Sequence, residues 1–436
     1  MPVRFAPDAT FPKQLVVEAD VTSSRLADPA GVLAGQLTAL IQADAVKGKR
    51  IAVGAGSRGI DQIPIVVRTV VTVLKAKGAE PFIVPVMGNH GGSTAEGQQG
   101  ILEGLGITEA TVGAPIRPRM DTRMVGHTPA GTPVYVSEEA LAADGVVLVN
   151  RIKPHTDFES TRLGSGILKM AAIGLGRSEG AAACHRAAGR LGFEAVLPAV
   201  AQVIFQHVKM VAAVGIVEDG LHQLARVEAI APAAIAEREA ALLAEARALM
   251  PALPFPRIDV LVIDAMGKDI SGAGMDTNII GRGVDGRPFS TRRSDVGAIW
   301  VRSLTPASHG NAIGIGLADV ASKSLVDSID PDSIFVNALS SMTPGTAKTP
   351  MYFGTDRECL KAAVRFSGSD AETAGIVRIK STLALNRFVV SENYRAEIAG
   401  RKDLRIVSDA TPVAFDAAGN FDVATDPLGA PAAAAH

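Results

Sequence analysis

Cysteine is almost missing from this chain: 436 residues carry two, Cys184 and Cys359. Two thiols cannot build a disulfide scaffold, and they fit a reducing, cytoplasmic setting. Aromatic residues make up 4% of the chain, too few for base-stacking platforms. The net charge is −2 with no Lys/Arg run, which removes the electrostatic case for nucleic acid or an anionic membrane. No long hydrophobic run is present either. The most apolar stretch, 194–217, is interrupted by Gln202, Gln206, His207 and Lys209, whereas a spanning helix wants roughly 20 mostly apolar residues. The opening MPVRFAPDATFPKQ has no apolar signal region, so secretion is not expected. Several catalytic signatures are also missing, namely G-x-x-x-x-G-K-[ST], H-E-x-x-H, C-x-x-C and G-x-S-x-G.

What remains is a globular composition, 47% hydrophobic and 20% charged. The length exceeds what one core supports, so two domains are expected. The recurring pattern is a β-branched run, a Gly-rich turn and a helical stretch. It appears at 51–59 leading into 61–77, at 81–93 leading into 94–105, at 145–155 and at 211–220. This predicts two α/β domains with largely parallel sheets and an active site in the cleft between them. Residues 231–248 read as an amphipathic helix, and the Pro-rich stretch 250–258 ends the first domain. The expected division is 1–250, then 251–385, opened by the strand RIDVLVIDAM. A C-terminal segment, 386–436, is expected to return to the first domain, with a frayed tail of small residues.

Polar chemistry concentrates in one apolar, Gly-rich segment: NRIKPHTDF at 150–158, GILKM at 166–170 and CHR at 184–186. Buried polar groups without partners cost free energy, so such a cluster reads as a site. His155 follows a predicted strand, and His90 sits between glycines after another, beside Ser93 and Thr94, which suit a helix N-cap. Arg58, His90, His155 and Lys169 all follow predicted strands, where parallel sheets bind ligands. Two histidines on separate loops suit a reaction that moves protons on opposite faces of a substrate, as racemases and epimerases require. Arg58 and Lys268 suit a carboxylate, and Lys169 among apolar residues suits a covalent anchor. Cys184 reads as a small buried apolar residue, and Trp300 as core. Two other classes stay open on these residues. One is a Lys169 Schiff-base or pyridoxal phosphate enzyme; the other is a non-catalytic nickel- or cofactor-binding protein that uses His185.

Taken together, these motifs resemble the nickel-pincer nucleotide-dependent lactate racemase family. The likeness is carried by Arg58 followed by GNHG at 88–91, by KPH at 153–155 with GILK at 166–169, and by His185 sixteen residues after Lys169. The loop MGKDISGAGMD at 266–276, with Lys268, and SHGNAIGIGLAD at 308–319 add to it. The resemblance implies an isomerase of a 2-hydroxy acid that works by proton-coupled hydride transfer to a nickel-pincer nucleotide. Lys169 would anchor that cofactor, His185 would ligate nickel, and His90 and His155 would be the acid/base pair. Arg58 and Lys268 would orient the substrate, and cofactor-synthesis enzymes would act in maturation. Two departures, the GSRGI loop around Arg58 and the long 156–168 loop, point away from lactate towards a different or larger 2-hydroxy acid, such as a sugar acid.

Overall fold

The protein is described from a computed structural model, which covers residues 10–21, 23–57 and 59–429. Its strands, in chain order, are β1 (Gln14–Ala19), β2 (Arg50–Ala55), β3 (Glu80–Pro85), β4 (Thr122–His127), β5 (Pro133–Ser137), β6 (Gly145–Arg151), β7 (Met210–Glu218), β8 (Leu224–Ile230), β9 (Arg257–Met266), β10 (Asp295–Leu304), β11 (Val320–Ser322), β12 (Met351–Phe353), β13 (Ile376–Ser381), β14 (Ala384–Ser391) and β15 (Leu404–Ile406). Helices alternate with most of them, and the chain is an α/β protein.

It divides into two compact units. Among the described residues, an N-terminal unit takes 23–155 and 160–250, and a C-terminal unit takes 10–21, 156–159 and 251–429. The N-terminal unit is built on a five-stranded sheet of order β3-β2-β6-β7-β8. Its first four strands run parallel and β8 is antiparallel. The strands are almost wholly buried, as helix-covered parallel strands must be. Helix Ile63–Ala76 shows why the cover forms. Ile63, Val66, Val67, Val70 and Leu74 recur at helical spacing and are buried against the sheet, each contributing about 1.5–3 kcal/mol on full burial.

The C-terminal unit carries an eight-stranded sheet of order β12-β11-β10-β9-β13-β14-β1-β15. The run from β12 to β13 is parallel, and the rest is antiparallel. Trp300 is fully buried in its core, with Nε1 donating to Ser322 Oγ at 3.1 Å. Two domain expectations are corrected here. The N-terminal strand does not belong to a 1–250 domain, because β1 pairs with β14 from Gln14↔Ser391 to Glu18↔Arg387. The segment after 386 does not return to the N-terminal unit, because β15 pairs with β1 in this same sheet. Ladders between chain ends leave no trace in local periodicity. The expected frayed tail falls mostly on 430–436, outside the described residues.

Candidate active site of the N-terminal unit

Three loops leave the carboxyl ends of adjacent parallel strands β3, β2 and β6, the place where open parallel sheets bind ligands. The loop after β2 includes Ser57. Arg58 itself lies outside the described residues. Next to that position, the Gly59 carbonyl accepts from Arg151 Nη1 at 3.3 Å, and Arg151 is ion-paired with Glu218 at the end of β7.

His90 lies on the loop after β3. Its Nδ1 is 2.5 Å from Ser57 Oγ, so the loops after β2 and β3 meet at this imidazole. Left-handed backbone at Gly88, Gly91, Gly92 and Ser93 shapes the loop. Gly91 has no substitute, since a Cβ there would lie 2.6 Å from the Gly97 carbonyl carbon as well as at φ +67°. Thr94 then caps helix Ala95–Gly104 by accepting from Gly97 N–H at 3.0 Å, leaving the histidine out of the cap. The loop is also held from beneath. Buried Gln98 donates from Nε2 to the Gly88 and His90 carbonyls at 2.9 and 3.2 Å.

His155 lies past the end of β6, where Ile152 N–H still bonds Ile216 O at 2.8 Å. A two-residue bridge between Lys153 and Ser165 closes the long loop at its base. The His155 side chain is buried at 5% exposure. Its ring stacks near Phe193, with centroids 6.1 Å apart and planes 29° apart. His185, half-buried on helix Arg177–Leu191, meets the same Phe193 edge-on at 5.4 Å. One phenyl ring, at the start of helix Phe193–His207, therefore brings two of the predicted histidines together.

Lys169 ends the short helix Ile167–Lys169, half-buried, where the chain passes into a π-helical turn, Met170–Gly174. Leu175 N–H bonds the Met170 carbonyl five residues back, at 3.0 Å. Such insertions are frequent at functional sites. Helix Arg177–Leu191 packs back on this turn, with Cys184 Sγ 3.6 Å from the Ala172 carbonyl. Burial pushes the Cys184 thiol up to about 12, so it is a packing residue and no nucleophile.

Two buried charges flank the Lys169 turn, and the sequence reading missed both. Arg177, fully buried at φ +51°, donates from Nη1 to the Pro85 carbonyl and to Gln98 Oε1 at 2.7 Å, while among the described residues Nε and Nη2 meet no hydrogen-bond acceptor. Burial lowers its guanidinium to about 10, opposed by Glu139. Arg177 and Gln98 thus tie the His90 loop to the joint between the π-turn and the His185 helix. Glu239, fully buried, accepts from Leu168 N–H at 2.9 Å. Burial raises its carboxyl to about 7, against the lowering effect of the Leu168 and Ile167 amides. One signal for Glu239 was present: it falls in the buried stripe Ile235, Leu242, Leu243 and Ala246 of helix Ile235–Leu249, where a carboxylate is out of place.

Lys268 belongs to the C-terminal unit. Its Nζ donates to the Gly272 carbonyl at 2.8 Å and to Asn337 Oδ1 at 3.2 Å, and its N–H donates to Ser308 Oγ at 2.8 Å. In the same unit, the tip of the 156–168 loop has a structural task. Glu159 accepts from the amides and hydroxyls of Ser290 and Thr291 at 2.8–3.2 Å. Burial raises this carboxyl, but those four donors together hold it below the usual range. Among the described residues, no group of three or more His, Cys, Asp or Glu side chains forms a metal site, and no helix is long and apolar enough to cross a membrane.

Comparison with known proteins places this geometry in context. A family model described as a domain of unknown function, DUF362, matches residues 55–238, less than half of the chain. That span contains His90, His155, Lys169 and His185 but not Lys268. Among solved structures, the chain is similar to the lactate racemase apoprotein of Thermoanaerobacterium thermosaccharolyticum. The identity is 14%, the match covers 83% of this chain and 88% of that one, and the TM-score is 0.46. A Thermotoga maritima protein from structural genomics matches at 14% identity over 66% of this chain and 73% of its own, also with a TM-score of 0.46. No curated protein matches. At these distances neither structural match carries an argument about activity.

Proposed function

We propose that the N-terminal unit holds the active site of a racemase or epimerase of a 2-hydroxy acid. In this reading His90 and His155 are its acid/base pair, Lys169 is its cofactor anchor and His185 its metal ligand. The observation that carries the reading is the shared Phe193 ring. It contacts both the strand-end His155 and the helical His185, and the helix of His185 packs on the turn that begins at Lys169.

The donor set fits the nickel-pincer nucleotide that the motifs imply. A half-buried amine sits on a pinned turn, one half-buried imidazole lies on the helix packed against it, and no multi-residue metal cluster is required. When bound, that group supplies a reversible hydride acceptor. The protein's own residues manage protons and position. His90 exchanges a proton under the control of Ser57: while Ser57 O–H donates to Nδ1, the neutral ring carries its proton on Nε2, and once the ring is protonated Nδ1 donates to Ser57 instead. His155 works from a buried, Phe193-lined position that excludes water, while His90 is exposed, so the two acid/base steps take place in different surroundings. Stabilisation of substrate charge falls in this proposal to Arg58, and Lys268 is its counterpart on the C-terminal unit. Maturation by cofactor-synthesis enzymes and a cytoplasmic location belong to the same proposal.

The test is a deuterium-exchange screen over 2-hydroxy acids with cofactor-loaded protein, repeated with His90→Ala and His155→Ala. Loss of an acid/base group costs about 10²–10⁴-fold, so each variant should fall by that order. Unchanged turnover in either variant contradicts the pair. A borohydride-trapped adduct at Lys169 in nickel-free, active protein replaces the reading with Schiff-base chemistry.

A further inference from the structure

Glu239 is a carboxylate in the wrong place for stability. It is fully buried, no cation lies within ion-pair distance among the described residues, and Oε1 accepts no hydrogen bond. Its reason lies in the turn it touches. Helix Ile167–Lys169 is preceded at the cap position by Gly166, in extended backbone with no side chain to offer. The first amides of a helix need acceptors, and the neighbouring Ile167 and Leu168 are too buried for water to supply them. Glu239 Oε2 takes the Leu168 N–H at 2.9 Å, and the Ile167 amide acts on the same carboxylate. The cap thus comes from a residue 71 positions away in sequence, on another helix.

Gly166 makes room for this. A Cβ there would lie 2.3 Å from Glu239 Oε1 and 2.5 Å from the carboxyl carbon. The Gly166 carbonyl is committed as well, to Asn150 Nδ2 and to Met170 N–H, both at 3.0 Å. The amides on either side of Lys169, those of Leu168 and Met170, are therefore both fixed, one by Glu239 and one by Gly166.

We propose that Glu239 is a positioning residue for Lys169: it caps the lysine-bearing turn from a distant helix and so fixes where the amine stands. The proposal rests on the reading of Lys169 as an anchor, but it can be tested without cofactor. In the full-length protein, wild type is compared with Glu239→Gln, Glu239→Asp and Glu239→Ala by two measurements. One is acetylation of Lys169 at limiting reagent, read by peptide mass spectrometry relative to the exposed Lys47. The other is amide exchange over 167–170. The Ala variant is expected to shift both by about fivefold, the size of a lost helix cap. Asp, one methylene short, is expected to do the same, and it serves as the reporter if Ala does not fold. Gln keeps an acceptor oxygen and is expected to return both readings to within about twofold of wild type, a rescue that bulk loss of packing would not give. Equal readings in all four proteins overturn the proposal, as does a Gln variant that behaves like Ala. If the labelling follows the proposal but Lys169 never acquires a cofactor, the anchor reading fails and the role of Glu239 in placing the amine stands.

Discussion

The two units treat buried charge in opposite ways. In the C-terminal unit, Asp264, Arg302, Asp356 and Arg378 are buried, and with the covered carboxylate of Asp426 they close on one another. Arg302 bonds Asp264 at 2.8 Å and Asp356 at 2.6 Å, and Arg378 bonds Asp264 at 2.8 Å and Asp426 at 2.7 Å. The Phe421 ring lies under both guanidinium groups, at 4.7 and 4.5 Å. That network ties the C-terminal segment to the sheet. In the N-terminal unit, Arg177 and Glu239 are equally buried, but each spends its hydrogen bonds on backbone or amide groups of the segments that carry His90 and Lys169. The C-terminal network joins buried charge to buried charge, whereas Arg177 and Glu239 hold the backbone of the candidate site.

The comparison breaks first, and most visibly, at Asp264. Asp264→Ala strips a shared partner from two buried arginines and should cost about 3–5 kcal/mol in denaturant unfolding of the C-terminal unit. A loss near zero would mean that this network is no firmer than a surface pair. Glu239 should respond with the opposite sign. Its folded carboxyl titrates at about 7 against an ordinary 4.5. The stability linked to its protonated form is therefore complete below pH 4.5 and is lost as pH rises through 7, on the order of 3 kcal/mol at most. Glu239→Gln should flatten that slope and stand above wild type at pH 8. A variant less stable than wild type at pH 8 would show the ionised carboxylate to be a net stabiliser. Smaller still, Gly166→Ala forces a methyl against Glu239 and should cost about 1–3 kcal/mol, with the loss centred on the Lys169 turn in hydrogen exchange. The control with the least effect is Glu18→Gln, which removes the part-exposed pairs with Arg387 and Arg405 and should change stability by less than about 1 kcal/mol.

How much of this was legible beforehand follows from the range of each interaction. Strands β2, β3, β7 and β9 announce themselves as β-branched runs followed by glycine, β6 as such a run leading straight into a polar loop, and His90 and His155 were found because they follow such runs. The placement of β1 beside β14 and β15 was not legible, because a pairing between chain ends depends on nothing local. The supports of the site were equally hidden. Gln98 looks like any polar residue of an exposed helix until its amide is seen under the His90 loop, and Phe193 follows His155 and His185 with no spacing that signals a shared ring. The 156–168 loop was read as a mark of substrate size, yet four donors at Ser290 and Thr291 give its Glu159 a structural task.

The central claim is that Lys169 anchors a cofactor beside His185, and one measurement meets it head-on. The protein is produced together with the cofactor-synthesis enzymes, alongside an established racemase of the nickel-pincer type as a loading control, and its Lys169 peptide is weighed while nickel is counted. The account predicts a mass adduct on Lys169 and one nickel per chain, with nickel lost in His185→Ala. An unmodified Lys169 and no nickel, in a preparation where the control is fully loaded, would contradict it.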